Sequence, residues 1–176
     1  IISGTGAMWD YNWRGSPFYD SNIKSVIINN GVTYIGDYAF AWDAIGGSSL
    51  TKVTIGDSVT TIGDYAFAYC YSLTEVTIPD SVTTIGDYAF SDGYSLTDIT
   101  VDENNQYFSS DEHGVLFNKD KTTLIQYPTG NKRTAYTIPD RVTTIGDDAF
   151  DDCDSLTEVT IGNRVTTIGS CAFSYC

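Results

Sequence analysis

Basic residues are scarce in this chain: 9 Lys and Arg stand against 23 Asp and Glu, with one His, for a net charge of −14. A protein that neutralises phosphates needs a basic stripe, and here the cations are scattered singly apart from Lys132-Arg133, so no nucleic-acid partner is expected. Anionic membrane surfaces are disfavoured by the same balance. No apolar run approaches the roughly 20 residues of a membrane span, so no membrane insertion is expected within these residues, and no signal-peptide pattern opens the chain. Catalytic signatures are missing as well. His113 is the sole histidine and reads as a surface loop residue, no G-x-S-x-G frames a nucleophile, and the glycines recur as single I-G turns rather than a phosphate-cradling cluster. No C-x-x-C or Cys-His spacing suits zinc. The expectation is a protein that is not an enzyme and uses no cofactor. One Met beside 16 Gly and 24 aromatic residues (8 Phe, 3 Trp, 13 Tyr) is a β-rich, turn-rich profile.

What is present is repetition. The phrase V-T-x-I-G-D-x-A-F occupies Val32 to Phe40, Val59 to Phe67, Val82 to Phe90 and Val142 to Phe150, and returns at Val165 to Phe173 with Ser170 replacing the Asp. Its isoleucines, Ile35, Ile62, Ile85, Ile145 and Ile168, are 27, 23, 60 and 23 residues apart, so the unit is 23 residues. An expanded turn at Asp43 to Ser49 accounts for the first excess, and an insertion of 37 residues between Thr100 and Thr137 for the second. Ahead of each phrase lies L-T-x-V-T-I, at Leu50, Leu73 and Leu156, with Leu96 to Val101 a close variant. This apolar spacing matches the core of leucine-rich repeats.

The pattern predicts a β-rich leucine-rich repeat solenoid of five to six right-handed coils, each about 23 residues with short parallel strands and a single helical or 3-10 turn at D-x-A-F. Stacking turns each apolar position into a buried column. Residues 1–22 lack the repeat and, with Trp9, Tyr11, Trp13, Phe18 and Tyr19, read as an aromatic cap; residues 23–176 form the solenoid, with the insertion at about 101–136. Ile1 in place of Met and a stop at Cys176 within a unit lead to the expectation of a longer natural protein with an uncapped C-terminal coil.

At these residues the chain resembles the BspA-like leucine-rich repeat family, the match at Leu73 to Phe90 being nearly complete. The insertion looks like the family's variant repeat, with Gly114 to Pro128 forming a hairpin that turns at Asn118 to Lys121, and its own alternation supports that reading. The resemblance implies an extracellular or cell-surface bacterial protein. It implies adhesion or binding to a protein or glycan partner, host matrix or another cell among them, and carries over no catalytic residue. A structural spacer that self-associates through the uncapped coil, and an accessory domain of a larger secreted enzyme, are the alternatives.

Two surfaces are candidate partner-binding sites. One is the strand face, with Lys52, Thr54, Glu75, Thr77, Asp98, Thr100, Glu158 and Thr160 in register beside Thr137. The other is the column of Tyr38, Tyr65 and Tyr88, which either grips a ligand or stacks on itself to shield the coil edge. Asp37, Asp64, Asp87 and Asp147 share a column and read as caps of their own turns rather than calcium ligands. The denser patch of Asp147, Asp148, Asp151, Asp152 and Asp154 reads as solvated charge, with weak cation binding such as calcium the alternative. Cys70, Cys153 and Cys176 share a position that Asp43 and Gly93 fill elsewhere, which favours buried free thiols over disulfides.

Overall fold

The computed structural model describes residues 1–18, 22–41 and 49–176; Tyr19 and the Asp43 turn, apart from Ser49, lie outside them. Fifteen short strands are seen among the described residues. The L-T-x-V-T-I phrases form β4 (Lys52–Ile55), β6 (Glu75–Ile78), β8 (Asp98–Val101) and β14 (Glu158–Thr160), and equivalent segments form β2 (Ser25–Ile28) and β12 (Ala135–Thr137). The T-x-I-G phrases form a second series: β3 (Val32–Ile35), β5 (Thr61–Ile62), β7 (Thr84–Ile85), β13 (Thr144–Ile145) and β15 (Thr167–Ile168). Parallel pairing in register stacks Ile35 on Ile62 and Ile62 on Ile85. The chain is a solenoid of parallel strands, as the period predicts.

Seven coils result, not five to six, because both irregular segments are coils themselves. At the start, β1 (Gly6–Ala7) pairs with β3, and Ile2 bridges Ile28. Of the expected aromatic lid, Phe18 stacks on Phe40 at 5.1 Å and Trp13 meets Tyr38 and Tyr69 edge-on, whereas Trp9 is 81% exposed. In the insertion, β11 (Thr123–Gln126) sets Leu124 beside Ile145, so the long step is 39 residues from Ile85 to Leu124 and 21 from Leu124 to Ile145. The hairpin forms where the alternation places it, between β10 (Leu116–Asn118) and β11. Asn118 closes it by accepting from the amides of Thr122 and Thr123, each at 2.9 Å. A third antiparallel strand, β9 (Phe108–Ser110), joins β10.

The D-x-A-F segments are turns, and no helix is present among the described residues. In two of them an i to i+3 bond closes on the glycine carbonyl, from Ala39 N to Gly36 O and from Ala66 N to Gly63 O. In all five the residue ahead of the alanine sits in the left-handed region, with φ of 54° at Tyr38 and Tyr65, 58° at Tyr88, 49° at Asp148 and 51° at Cys171. A left-handed residue reverses the helical sense, so the turn cannot propagate into even one turn of helix.

Apolar columns fill the interior. Phe18, Phe40, Phe67 and Phe90 stack at 5.1, 5.2 and 5.8 Å, and Tyr127, Phe150 and Phe173 continue the row at 5.3 and 4.9 Å. The core divides at β10, where successive side chains point to opposite faces: Leu116 joins one buried cluster, Val115 and Phe117 the other. Asn105, fully buried, ties the insertion down by donating to Pro79 O and Val82 O and accepting from the amides of Tyr107 and Phe108.

Candidate partner-binding surface

Period-2 alternation along each strand of the first series buries Val and Ile and turns the intervening residues to solvent, so Lys52, Thr54, Glu75, Thr77, Asp98, Thr100, Glu158 and Thr160 are all exposed. Register pairs Glu75 with Asp98, Thr77 with Thr100, and Thr137 with Thr160. The row is not continuous, however. Hydrogen bonding breaks it into three two-stranded pieces, β2-β4, β6-β8 and β12-β14. Beyond β8 the insertion wedges in: Ile99 N donates to Gly114 O, and Asn131 Nδ2 donates to Thr97 O and His113 O. Thr100 and Thr137 are therefore not neighbours, contrary to the single ladder that the repeat suggests. Between β4 and β6 the break opens a groove of 330 Å³ that gathers Lys52, Thr54, Glu75 and Thr77 with Asp57, Asp80 and Asp102. Sequence reasoning missed the three aspartates, which lie in the turns after the strands.

The tyrosine column stacks on itself. Tyr38 to Tyr65 and Tyr65 to Tyr88 are both 4.8 Å between ring centres, with planes 7° and 21° apart. Tyr71 and Tyr94 form a parallel pair at 5.1 Å. Tyr65 has both faces taken, so it offers a ligand its edge and hydroxyl but no free stacking surface.

The aspartate column does not cap its own turns. Apart from Asp87, each carboxylate accepts from the backbone amide one coil on, and Asp10 extends the run: Asp10 from Asp37 N at 3.0 Å, Asp37 from Asp64 N at 2.8 Å, Asp64 from Asp87 N at 2.9 Å and Asp147 from Ser170 N at 2.6 Å. These bonds explain the preceding glycine, because a Cβ on Gly63 or Gly86 would fall 2.4 or 2.3 Å from the previous coil's Asp Oδ1. The column is an inter-coil staple.

Two members of the acidic patch, Asp151 and Asp152, meet Asp92. Asp92, Asp151 and Asp152 can place one oxygen each within 4.8 Å of the others, the geometry in which a cation could be held. Tyr94 Oη lies 3.3 Å from Asp92 Oδ1 and 3.1 Å from Asp152 Oδ2. Burial, then the hydrogen bond and charge of Asp152, push the Asp92 carboxyl up to about 6. Burial and the charges of Asp152 and Asp148 push Asp151 likewise up to about 6. Folded-state values above the unfolded ~3.9 mean that the native state holds protons more tightly, so this stabilisation is full below about pH 4 and is lost as pH rises through about 6. Thermal unfolding should accordingly shift upward between pH 7 and pH 5, and Asp92→Asn should reduce that shift; an unchanged slope in the variant would remove the pair as its source.

No disulfide joins the cysteines among the described residues; Cys70 and Cys153 are buried and Cys171 and Cys176 exposed. Cys176 was expected to be buried with its column, but no further coil covers it among these residues. Alkylation of the native chain should modify Cys171 and Cys176 only, and all four in denaturant, as intact mass would show. His113 lies in the turn ahead of β10 and is half-buried. Its side chain is 26% exposed, edge-on to Tyr136 at 6.0 Å, and its Nδ1 is buried without a hydrogen bond. Asp111 beside it accepts from His113 N, Val115 N and the Tyr136 hydroxyl, so it orients the wedge and not the imidazole.

Comparison with known proteins agrees with this architecture. The BspA type leucine rich repeat region matches residues 14–133 and 126–176, in six copies. Among solved structures, the pneumococcal vaccine antigen PcpA superposes with a TM-score of 0.80 at 31% identity, over 88% of this chain and 37% of that one. A leucine rich cell surface protein from Faecalibacterium prausnitzii gives 0.72 at 35% identity, covering 86% and 38%. A leucine-rich repeat protein from Eubacterium ventriosum gives 0.61 at 32%, covering 98% and 57%. The chain thus spans between 37% and 57% of the length of these relatives. No curated protein matches it. A 23-residue period, seven stacked coils and repeat matches along nearly the whole chain place this protein in the bacterial BspA-type leucine-rich repeat family.

Proposed function

We propose that the chain is a non-enzymatic binding and adhesion module, extracellular or at the cell surface, that recognises a protein or glycan partner through its strand face. The observation that carries this reading is the groove between β4 and β6, where Lys52, Thr54, Glu75 and Thr77 converge from two coils. Hydroxyls and carboxylates around a concave surface offer acceptors to a partner's amides, hydroxyls or cations, and their spread over coils suits an extended contact. The names of the relatives, a vaccine antigen and a cell surface protein, support the location. Self-stacking of Tyr38, Tyr65 and Tyr88 favours the strand face over the tyrosine column.

The test is a glycan and matrix-protein binding screen followed by two sets of variants. Glu75→Lys with Asp98→Lys should abolish binding and alter its salt dependence, whereas Tyr65→Ala should leave it nearly unchanged. The opposite pattern would move recognition to the tyrosine column. A second reading, self-association, is one that the apolar surface of Ile161 and Ile168, 43% and 53% exposed, suits. Sedimentation of the wild type against Ile168→Lys separates the two, since only self-association is lost with that substitution.

A further inference from the structure

The columns skip a rung. The fifth coil runs from Leu124, paired with Ile145, to Tyr127, stacked on Phe150, in three steps where Ile145 to Phe150 takes five. The two residues it lacks are those that supply the aspartate and tyrosine columns, and only Ile125 and Gln126 span the interval. Asp87 is therefore the one aspartate of its run with no amide above it, and no hydrogen bond to its carboxylate occurs among the described residues. Tyr88 is likewise the end of its stack. Tyr65 covers one face at 4.8 Å, and no ring covers the other among the described residues.

A cleft of 190 Å³ fills the place of the missing rung, between the fourth coil and Thr123, Gln126 and Asp147. It lies on the side of Tyr88 away from Tyr65. Its walls carry an aromatic face, the exposed carboxylates of Asp87 and Asp147, and apolar surface from Ile85 and Ile125, but no Lys or Arg. We propose that this cleft receives the basic side chain of a protein partner, an arginine guanidinium or lysine ammonium lying against Tyr88 and paired with Asp87 and Asp147. A cation meets both needs of the cleft at once: it donates to a carboxylate that has lost its ladder partner and it is attracted to the open ring face. A neutral sugar would supply hydroxyl donors and leave both charges uncompensated. The proposal rests on the binding-module reading but uses a surface separate from the strand face.

The test needs no identified partner. The 15N-labelled chain is titrated with N-acetyl-arginine methylamide, N-acetyl-lysine methylamide and, as the neutral comparison, methyl β-glucopyranoside. Saturable amide shifts are expected at Gly86, Gln126 and Gly146 with either cation, weakened about tenfold between ~50 and ~500 mM salt. The double variant Asp87→Asn and Asp147→Asn keeps the acceptor that Ser170 N uses, and should abolish the shifts with the fold intact. Absence of cation shifts at these amides, their persistence in the double variant, or tighter binding of the glucoside would overturn the proposal. None of these outcomes bears on the Glu75→Lys and Asp98→Lys result, so failure of the cleft and failure of the strand-face reading are told apart.

Discussion

Phe67→Ala is expected to lower the free energy of unfolding by about 3–5 kcal/mol. The ring is 1% exposed and lies between Phe40 at 5.2 Å and Phe90 at 5.8 Å, nearly parallel to both. Removing it takes away the transfer energy of a buried aromatic and two ring contacts, and the cavity cannot collapse because strand pairing fixes the spacing between coils. Neighbours beyond the gap should loosen too, since each coil of a solenoid is held by the adjacent ones. Equilibrium denaturation measures the loss, and hydrogen exchange should show the first coils opening before the last. A shift below about 1 kcal/mol would mean that the column does not carry the stability assigned to it.

Gly63→Ala is expected to cost about 3 kcal/mol or more, although it adds only one methyl group. The new Cβ would stand 2.4 Å from Asp37 Oδ1, 2.8 Å from Asp37 N and 2.9 Å from Ile35 O. Two of those atoms are backbone, so rotating the Asp37 side chain does not make room. Gly162 is the internal comparison: its Cβ would meet only Asp140 Oδ1 at 3.9 Å, and Gly162→Ala should be tolerated within about 0.5 kcal/mol. Thermal unfolding of the two variants side by side decides the matter. Equal effects would show that the inter-coil staple is not what the glycine serves.

The sequence by itself determined the period, the parallel stack, the buried phenylalanine column from Phe40 to Phe90 and which strand positions face solvent. These follow from local alternation and from identity between copies, since a residue that recurs every 23 positions meets its own equivalent. The hairpin at Asn118 to Lys121 was legible for the same reason, its signal lying within a few residues. Only the tertiary structure decided what each column bonds to. Asp37 looks like a cap of its own turn when one copy is read alone; its acceptor role toward Asp64 N appears once two coils are adjacent. The groove between β4 and β6, the wedge that parts Thr100 from Thr137, and the cleft beside Tyr88 have no local signature. Each depends on how an irregular coil seats against a regular one, which is a matter of three-dimensional register and not of composition or spacing.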